Sequence, residues 1–362
     1  MFNNIFKNKK VLITGHTGFK GSWLSLWLKK LGADVYGFSN RIPTNPSMYE
    51  LLNLSDDLHS FTGDIRDIEA LSEKVNTIKP EFIFHMAAQA LVPVAYQNPV
   101  TTFETNTLGT VNVLEVVRKI KHQCTTIIIT SDKVYDNVEW EWGYRENDKI
   151  GGIDPYSASK GMAELAIRSY FQSYLKNMKN IKLGITRAGN VIGGGDWAEG
   201  RIVPDLVRSV FNKQRAKIRN PNSTRPWQHV LEPISGYLQL AMSLNQEEVI
   251  NGSEFNFGPS ADNAFSVRSL VNEIQSQWDI LNWEDVSTSE KIDEAGLLKL
   301  NCDKALLRLN WRPVLDFKET TKLTVDWYKA LYEKDQNLKS LSLSQIDSYI
   351  SLAQNKELIW TS

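Results

Sequence analysis

The chain is poor in cysteine, in net charge and in long apolar runs. Of its 362 residues only Cys124 and Cys302 are cysteines, and because they are far apart, the spacing of a zinc site is absent. We therefore expect two reduced thiols and no bound metal. The formal net charge of −1 lacks the basic excess that marks a nucleic-acid-binding protein.

The apolar residues come in short runs. None approaches the ~20 residues that a membrane-spanning helix needs, and the first ten residues are too polar for a signal peptide. We expect a cytoplasmic protein with no membrane segment. The 42% hydrophobic and 23% charged residues are those of a globular protein, and the chain length suits one large domain plus a smaller one.

The first half of the chain alternates strand-like and helix-like patterns. Short apolar runs predict strands at 10–14, 33–38, 82–87, 125–130 and 182–186. Helical spacing of apolar residues predicts helices at 22–31, 105–120 and 156–175. This alternation predicts an α/β fold with a doubly wound, Rossmann-like parallel sheet and helices on both of its faces.

Beyond Arg187, glycines and prolines divide the chain into shorter pieces. We predict a dinucleotide-binding domain formed by residues 1–188 and about 229–260. Residues of about 189–228 and 261–362 then form a smaller C-terminal substrate-binding cap over the sheet edge where ligands of such folds bind. The polar tail from Lys334 fits either a docked helix or a partly disordered segment.

A glycine-rich turn follows the first predicted strand and opens the first helix. Its glycines are three residues apart, which in this position is typical of a dinucleotide-binding turn. Glycine lets backbone N–H groups approach a pyrophosphate at the start of a helix. The predicted cofactor-binding residues of the turn are Gly15, His16, Thr17, Gly18, Phe19, Lys20 and Gly21.

The end of the second strand lacks the carboxylate that usually binds the ribose of NAD. Its residues Ser39 and Arg41 are predicted to face the cofactor, but Arg41 fits a 2′-phosphate contact and a solvated loop arginine equally well. NAD and NADP therefore both stay open from these residues. Farther along, Asp64 is predicted to bind the adenine amino group beside Ile65, and Asp67 to cap the next helix.

The residues with acid–base chemistry lie in two short segments. Tyr156 and Lys160 are four residues apart and share one face of a predicted helix. A tyrosine hydroxyl is a poor base at neutral pH, and a nearby ammonium group favours its phenolate. Ser131, Asp132 and Lys133 follow a predicted strand. Together they exceed what hydride transfer needs and predict an additional acid and base.

The predicted cap contributes two arginines beside proline-containing turns, Arg201 and Arg225. Each suits a bidentate contact with a diphosphate, and each suits a surface salt bridge. Trp227 is expected either to stack on a ligand or to pack. Three histidines have no predicted catalytic role: His16 and His229 are expected to be polar, and His85 to lie in the core.

The chain resembles the extended short-chain dehydrogenase/reductase superfamily from residue 10 to about residue 328. The resemblance is carried by the glycine turn, Ser131, the Tyr156/Lys160 pair and the segment from Arg187 to Val191. Longer stretches are similar to CDP-glucose 4,6-dehydratases, namely residues 16–23, 131–135, 142–148 and 225–230. Related dTDP-glucose dehydratases typically have glutamate at the place of Lys133, so this lysine favours the CDP-sugar branch.

The resemblance implies a lyase that uses NAD to dehydrate CDP-glucose to CDP-4-keto-6-deoxyglucose. Tyr156 would take the proton of the sugar 4-hydroxyl, and Ser131 would hydrogen-bond the same hydroxyl. Lys133, or a water that it positions, would remove the C5 proton, and Asp132 would protonate the departing 6-hydroxyl. Further implied cofactor contacts are Ala87, Ala88, Gln89, Asn106, Tyr156 and Lys160, and implied substrate contacts are Gln89, Asn190, Arg201, Arg225 and His229.

Other readings stay open at this point. Relatives dimerise through the helix that bears the Tyr156/Lys160 pair, which implies a homodimer or a homotetramer. A nucleotide-sugar 4-epimerase, or a 4,6-dehydratase for another nucleotide-glucose, shares most of these residues. A non-catalytic dinucleotide-binding protein is a third class, although such proteins often lose the tyrosine or the lysine.

Overall fold

A computed structural model describes residues 1–260, 265–287 and 297–362. The strands of these residues are β1 (Lys10–Thr14), β2 (Asp34–Ser39), β3 (His59–Thr62), β4 (Phe82–His85), β5 (Cys124–Ile129), β6 (Ile181–Ala188), β7 (Val191–Ile192), β8 (Ala216–Ile218), β9 (Thr224–Arg225), β10 (Gln228–His229), β11 (Glu254–Phe257), β12 (Phe265–Ser266) and β13 (Trp283–Asp285). Seven of them form one sheet in the order β11–β6–β5–β4–β1–β2–β3. All of its neighbouring strands are parallel, as predicted.

Helices connect the strands. They are α1 (Phe19–Lys30), α2 (Met48–Leu51), α3 (Ile68–Ile78), α4 (Val92–Gln97), α5 (Pro99–Phe103), α6 (Gly109–Lys119), α7 (Pro155–Tyr170), α8 (Ile202–Phe211), α9 (Leu231–Gln246), α10 (Val267–Gln277), α11 (Asp303–Leu309), α12 (Phe317–Glu333) and α13 (Leu338–Asn355). None of these helices is long and apolar enough to cross a membrane.

Two apolar cores cover the two faces of the sheet. The central strand β5 shows this division, because Ile127 and Ile129 belong to one core and Ile128 to the other. Alternate residues of a strand point to opposite faces, so a strand covered on both sides is apolar throughout. Helices α1 and α9 pack on the first face, and α3, α6 and α7 on the second. The doubly wound α/β prediction is therefore confirmed.

Several predicted boundaries differ from the structure. The helix predicted at 105–120 is the end of a longer helical stretch, which begins at Pro99 and passes through a π-helical turn at Glu104–Leu108. The helix predicted at 156–175 likewise ends in a π-helical turn at Phe171–Leu175. The strand predicted at 82–87 ends at His85. Periodicity cannot place these limits, because the apolar pattern continues across them.

The polar tail is a docked helix, which decides between the two alternatives for this segment. Tyr349 of α13 is fully buried and its ring lies edge-on to Trp27 of α1, with 5.7 Å between ring centroids. The division into two domains stays a prediction. Within the predicted cap, residues 261–264 and 288–296 lie outside the described part of the chain.

The carboxyl ends of the parallel strands meet at one edge of the sheet. The turn after β1, the loop after β4 and the segment after β5 all start there, as does the chain after β6. The strand order reverses between β1 and β4, and open α/β sheets bind their ligands in the crevice outside such a point. This edge therefore brings the predicted functional segments together.

Candidate active site

The glycine turn is held close to the end of β4. Gly15 has a φ of +80°, and a Cβ atom there would lie 2.7 Å from the backbone nitrogen of Ala87. A Cβ at Gly21 would lie 2.1 Å from the carbonyl oxygen of Gly15. Both positions therefore exclude any larger residue, which explains the glycines by backbone packing.

Gly18 has a different environment and marks the open side of the turn. It precedes α1, whose first turn has no acidic residue and no side-chain cap. A Cβ at Gly18 would approach only the carbonyl oxygen of Gly15, at 3.4 Å. The helix start thus combines unpaired N–H groups, a favourable dipole and free space, and these features fit a pyrophosphate.

The side chains of His16 and Ser39 support the turn from within. His16 Nδ1 lies 2.8 Å from Ser39 Oγ, and its Nε2 lies 2.6 Å from Ser60 Oγ. Burial lowers the pKa of His16 to about 4, so the ring is neutral. His16 is thus polar and non-catalytic in this structure, and any cofactor contact of this residue has to come from its backbone.

A carboxylate from the neighbouring strand end lies beside the end of β2. Asn40 Nδ2 donates to Asp64 Oδ2 at 3.2 Å, and Arg66 Nη2 lies 2.8 Å from the same oxygen. The hydrogen bond from Arg66 lowers the pKa of Asp64 to about 2. Asp67 Oδ1 accepts hydrogen bonds from the first turn of α3, so the predicted helix cap is confirmed. Asp64 as an adenine contact stays a prediction.

Three other predicted cofactor residues have side chains with different surroundings. Ile65 is buried, and a Cβ at Gly109 would lie 2.6 Å from its Cδ1, so its side chain belongs to the core. Thr17 Oγ1 donates to the carbonyl oxygen of Arg41 at 2.7 Å, which ties the glycine turn to the chain after β2. The side chain of Arg41 is exposed.

The loop after β4 is braced by the π-helical turn. Asn106, in the middle of that turn, accepts from the backbone nitrogen of Gln89 at 2.8 Å and donates to Ser159 Oγ at 2.9 Å. The Gln89 side chain donates to Thr102 and accepts from the backbone of Leu91. Each polar end of this amide makes one bond within the protein and keeps the capacity for a second, so its substrate contact stays a prediction. Ala87 and Ala88 are half-buried in the same loop.

Ser131 starts a short 3₁₀ turn immediately after β5. Its Oγ accepts from the backbone nitrogen of Lys133 at 3.2 Å and donates to Asp132 Oδ1 at 3.0 Å. Asp132 is only 5% exposed. Burial raises its pKa, against the opposing effects of Lys133, the Ser131 hydroxyl and Lys20. Because burial raises its pKa, this carboxyl group is a candidate for the acid of the reaction.

Helix α7 carries Tyr156 and Lys160 into the same place. Asp154 caps the helix by accepting from the backbone nitrogen of Tyr156 at 2.9 Å. The Ser131 side chain is close enough to the Tyr156 hydroxyl to lower its pKa, so the two predicted catalytic segments meet. Lys160 Nζ lies 3.4 Å from the carbonyl oxygen of Ile129, at the end of β5. The sequence prediction that these segments meet agrees with this geometry.

The predicted effect of Lys160 on the pKa of Tyr156 stays a prediction. Burial raises the pKa of Tyr156, and the opposing effects come from the Ser131 hydrogen bond and the charge of Arg201. Lys160 is itself buried, and burial together with the charge of Lys20 lowers its pKa to about 8.

The cap side of the cleft contains an ion pair. Arg201 Nη1 lies 2.9 Å from Asp196 Oδ2, and Asp196 is 3% exposed. The backbone oxygen of Asp196 accepts from the Tyr328 hydroxyl of α12 at 2.6 Å. Because the guanidinium of Arg201 also acts on Tyr156, Arg201 belongs to the cleft and not to the outer surface.

Other predicted cap residues differ in burial. Asn190 and Arg225 are half-buried, and Arg225 Nη1 donates to the carbonyl oxygen of Thr224 at 2.9 Å. His229, predicted as a substrate contact, is instead a core residue. Its ring is fully buried, burial lowers its pKa to about 3, and it lies edge-on to Trp23. Trp227 packs as well, since it is 3% exposed.

Two residues of the site, Lys20 and Asp196, were only partly identified from the sequence. Lys20 was predicted only as part of the glycine turn, yet its ammonium group is close enough to Asp132, Asp196 and Arg201 for their charges to act on it. Burial is the main reason that its pKa falls to about 8. The three glycines before Asp196 were a signal for a tight loop, but they did not indicate that its carboxylate faces the cleft.

Comparisons with known proteins identify the family of this chain. The family model described as GDP-mannose 4,6 dehydratase matches residues 12–324. A CDP-glucose 4,6-dehydratase of Salmonella typhimurium is 45% identical over 353 residues, which are 96% of this chain and 98% of that protein.

Solved structures share the fold. The UDP-glucose 4-epimerase of Thermus thermophilus, solved as a complex with NAD, has a TM-score of 0.76 and 25% identity, and the match covers 88% of this chain and 99% of that one. The dTDP-glucose 4,6-dehydratase of Bacillus anthracis, also solved with NAD, has a TM-score of 0.74 and 21% identity, with 92% and 99% covered.

Proposed function

Because the chain belongs to the GDP-mannose 4,6-dehydratase family, we propose that it catalyses the NAD-dependent dehydration of CDP-glucose to CDP-4-keto-6-deoxyglucose. The observation that carries the proposal is Asp132, a buried carboxyl group with a raised pKa beside Ser131 and Tyr156. Hydride transfer alone does not use such an acid, whereas elimination of water does. The 45% identity to the Salmonella CDP-glucose 4,6-dehydratase supports the same substrate.

NAD is the cofactor, and the open helix start at Gly18 is the place for its pyrophosphate. When bound, NAD supplies the acceptor for a hydride from C4 of the sugar and returns that hydride to C6. Lys160, buried at the end of β5, is placed to hold the ribose next to the reacting atoms. The backbone of the glycine turn and the loop after β4 form the walls of this part of the cleft.

The first step removes the proton of the sugar 4-hydroxyl. Tyr156 would accept this proton as its phenolate, with the Ser131 side chain close to the phenol oxygen. Ser131 also orients Asp132, because its hydroxyl donates to Asp132 Oδ1. One serine therefore aligns the base of the first step with the acid of the second.

The second step eliminates water across C5 and C6. The 4-ketone acidifies the C5 proton, which Lys133 removes directly or through a water. Asp132 gives its proton to the 6-hydroxyl, which leaves as water while the C5–C6 double bond forms. As the double bond is reduced at C6, Lys133 would return a proton to C5, Tyr156 would release its proton and Asp132 would regain one, so each side chain ends as it began. The net change is the loss of one water.

We also propose that the protein is a homodimer in the cytoplasm. Exposed apolar side chains line the outer side of the helices from α4 to α7: Tyr96, Val100, Leu108, Met162 and Leu165 are 49–69% exposed. Such a set is larger than single scattered residues and suits an interface. The free thiols Cys124 and Cys302 suit a reducing compartment. Light scattering of Leu165→Arg should show a monomer where the wild type shows a dimer.

The direct test is a substrate panel. Purified protein with NAD is incubated separately with CDP-, dTDP-, UDP- and GDP-glucose, and the products are weighed by mass spectrometry. We expect a product lighter by one water, formed fastest from CDP-glucose. A sugar of altered configuration and unchanged mass would identify a 4-epimerase, and water loss from another nucleotide-glucose would correct the base.

A further inference from the structure

A buried ion pair lies directly behind the catalytic residues. Arg187 of β6 and Glu164 of α7 have side chains that are 0% and 4% exposed. Arg187 Nε donates to Glu164 Oε1 at 2.8 Å, and Nη2 contacts the second carboxylate oxygen. The pair is therefore bidentate and its geometry is directional. Neither residue has a role in the proton and hydride steps described above.

The carboxylate end of this pair reaches both catalytic segments. Glu164 is one helical turn beyond Lys160 and two turns beyond Tyr156, on the same face of α7. Its Oε1 also accepts from the hydroxyl of Thr130 at 2.7 Å. Thr130 immediately precedes Ser131 in the chain. Glu164 thus joins the helix that bears the base to the strand end that bears the acid.

The guanidinium end holds the chain where it leaves the catalytic turn. Arg187 Nη1 donates to the Tyr135 hydroxyl at 2.8 Å and to the carbonyl oxygen of Glu146 at 2.9 Å. Its charged carbon also lies 4.8 Å from the centre of the Tyr135 ring. Tyr135 is two residues after Lys133, and its hydroxyl donates to Asn256 of β11 at 2.8 Å. The segment that contains Asp132 and Lys133 is therefore fixed at both of its ends.

Stability alone gives a weak reason for this arrangement. Burying two charges costs about as much as their attraction returns, and an apolar pair of similar volume is often equally stable. An apolar pair, however, has no preferred angle or register. We propose that Arg187 and Glu164 are positioning residues, which set the distance between the Tyr156 segment and the Ser131–Lys133 segment. This inference rests on the proposed dehydratase function.

The test replaces the pair by apolar side chains. Glu164→Leu combined with Arg187→Met preserves the side-chain volume but removes the directional hydrogen bonds of the pair. The double variant should keep the wild-type Tm within a few degrees. We expect KM and NAD affinity within about threefold of wild type but kcat reduced about 100-fold, because a displacement of about 1 Å costs that much. The single-turnover rate at which reduced nicotinamide absorbance appears should fall equally.

A matched control separates position from stability. Ile167 lies on the same helix in the apolar core. Ile167→Ala should lower the Tm without altering the ion pair, so its kcat should stay near wild type. Each kcat is measured with the nucleotide-glucose that the wild type uses fastest. The wild-type panel therefore tests the proposed function, whereas the ratio of variant to wild-type kcat tests the positioning role.

A folded double variant with kcat within about threefold of wild type would overturn the inference. If the double variant does not fold, Glu164→Asp decides, because it keeps both charges but shortens the link by one methylene. For this variant we expect an unchanged Tm with kcat lowered about tenfold. Wild-type kcat in Glu164→Asp would also overturn the inference.

Discussion

Two regions of the molecule bury a carboxyl group, and they treat it in opposite ways. Glu232 of α9 is 1% exposed and Asp132 is 5% exposed, and burial raises the pKa of both. Glu232 accepts from the backbone nitrogens of Val314 and Leu315 at 2.9 and 2.6 Å, and from the Tyr349 hydroxyl at 2.8 Å. Glu232 therefore links α9 to α13 and to the chain segment immediately before α12.

Asp132 has far less support. Among its described contacts, the carboxyl group accepts a hydrogen bond from the Ser131 hydroxyl at 3.0 Å. A Cβ at the neighbouring Gly189 would lie 3.1 Å from Asp132 Oδ2, so the absence of a side chain there leaves space beside the carboxyl group. A buried carboxyl group whose oxygens already accept several hydrogen bonds stabilises the structure. One that accepts few is able to hydrogen-bond a ligand and to exchange a proton with it.

The largest difference between the two regions is expected for two buried tyrosines, Tyr156 in the region of Asp132 and Tyr349 in the region of Glu232. Tyr156→Phe should lower kcat about 1,000-fold, because it removes the group that takes the 4-hydroxyl proton. NAD should still bind, since the glycine turn does not depend on this hydroxyl. Initial rates with CDP-glucose and equilibrium NAD titration measure the two effects. Tyr349→Phe, the matched control beside Glu232, should keep wild-type kcat.

The next effect concerns the acids themselves. Asp132→Asn keeps the shape of the side chain but removes its transferable proton, so elimination should slow about 100-fold. Oxidation at C4 should continue, and reduced nicotinamide should accumulate in the absorbance spectrum during turnover. Equal slowing of oxidation and elimination would contradict the assignment of Asp132 to the second step.

Stability should respond in the reverse order. Glu232→Ala leaves two backbone N–H groups and the Tyr349 hydroxyl without their acceptor, and we expect a loss of about 3 kcal/mol in the free energy of unfolding. Asp132→Ala should lose less, since it strands fewer donors. Urea unfolding measures both values. A larger loss for Asp132→Ala would remove the distinction between the two regions.

The last effect is a pH dependence of stability. Burial raises the pKa of Glu232 from 4.5 to about 7 in the folded protein, so the folded state binds more protons than the unfolded state between these values. Its contribution to stability is complete below pH 4.5 and is lost as the pH rises through 7. The Tm of the wild type should therefore fall relative to that of Glu232→Gln across this interval. A constant difference would contradict the raised pKa.

The parts of the molecule that depend on local pattern were predictable. The strands at 10–14 and 182–186 and the turn at Gly15–Gly21 follow from apolar runs and glycine spacing, which are properties of neighbouring residues. The meeting of Ser131 with Tyr156 followed from topology, because strand ends and a helix start gather at one sheet edge.

Other features depend on which distant side chains become neighbours. The burial of His229 against Trp23, the pairing of Arg187 with Glu164 and the raised pKa of Tyr156 all arise from tertiary packing. A charged or polar residue in a sequence gives no sign of its later surroundings. These three features therefore needed coordinates.

The π-helical turn at Glu104–Leu108 adds one residue to the helical stretch without reorienting the helix that follows. A π turn uses one more residue than an α turn and absorbs it locally, so the helix beyond it keeps its orientation against the sheet. Deleting one residue from this turn would restore ordinary helix and leave the packing of α6 unchanged. It would also move Asn106 away from Gln89 and Ser159. We therefore expect the fold to tolerate a one-residue deletion here. The contacts by which Asn106 supports the loop after β4 should be lost.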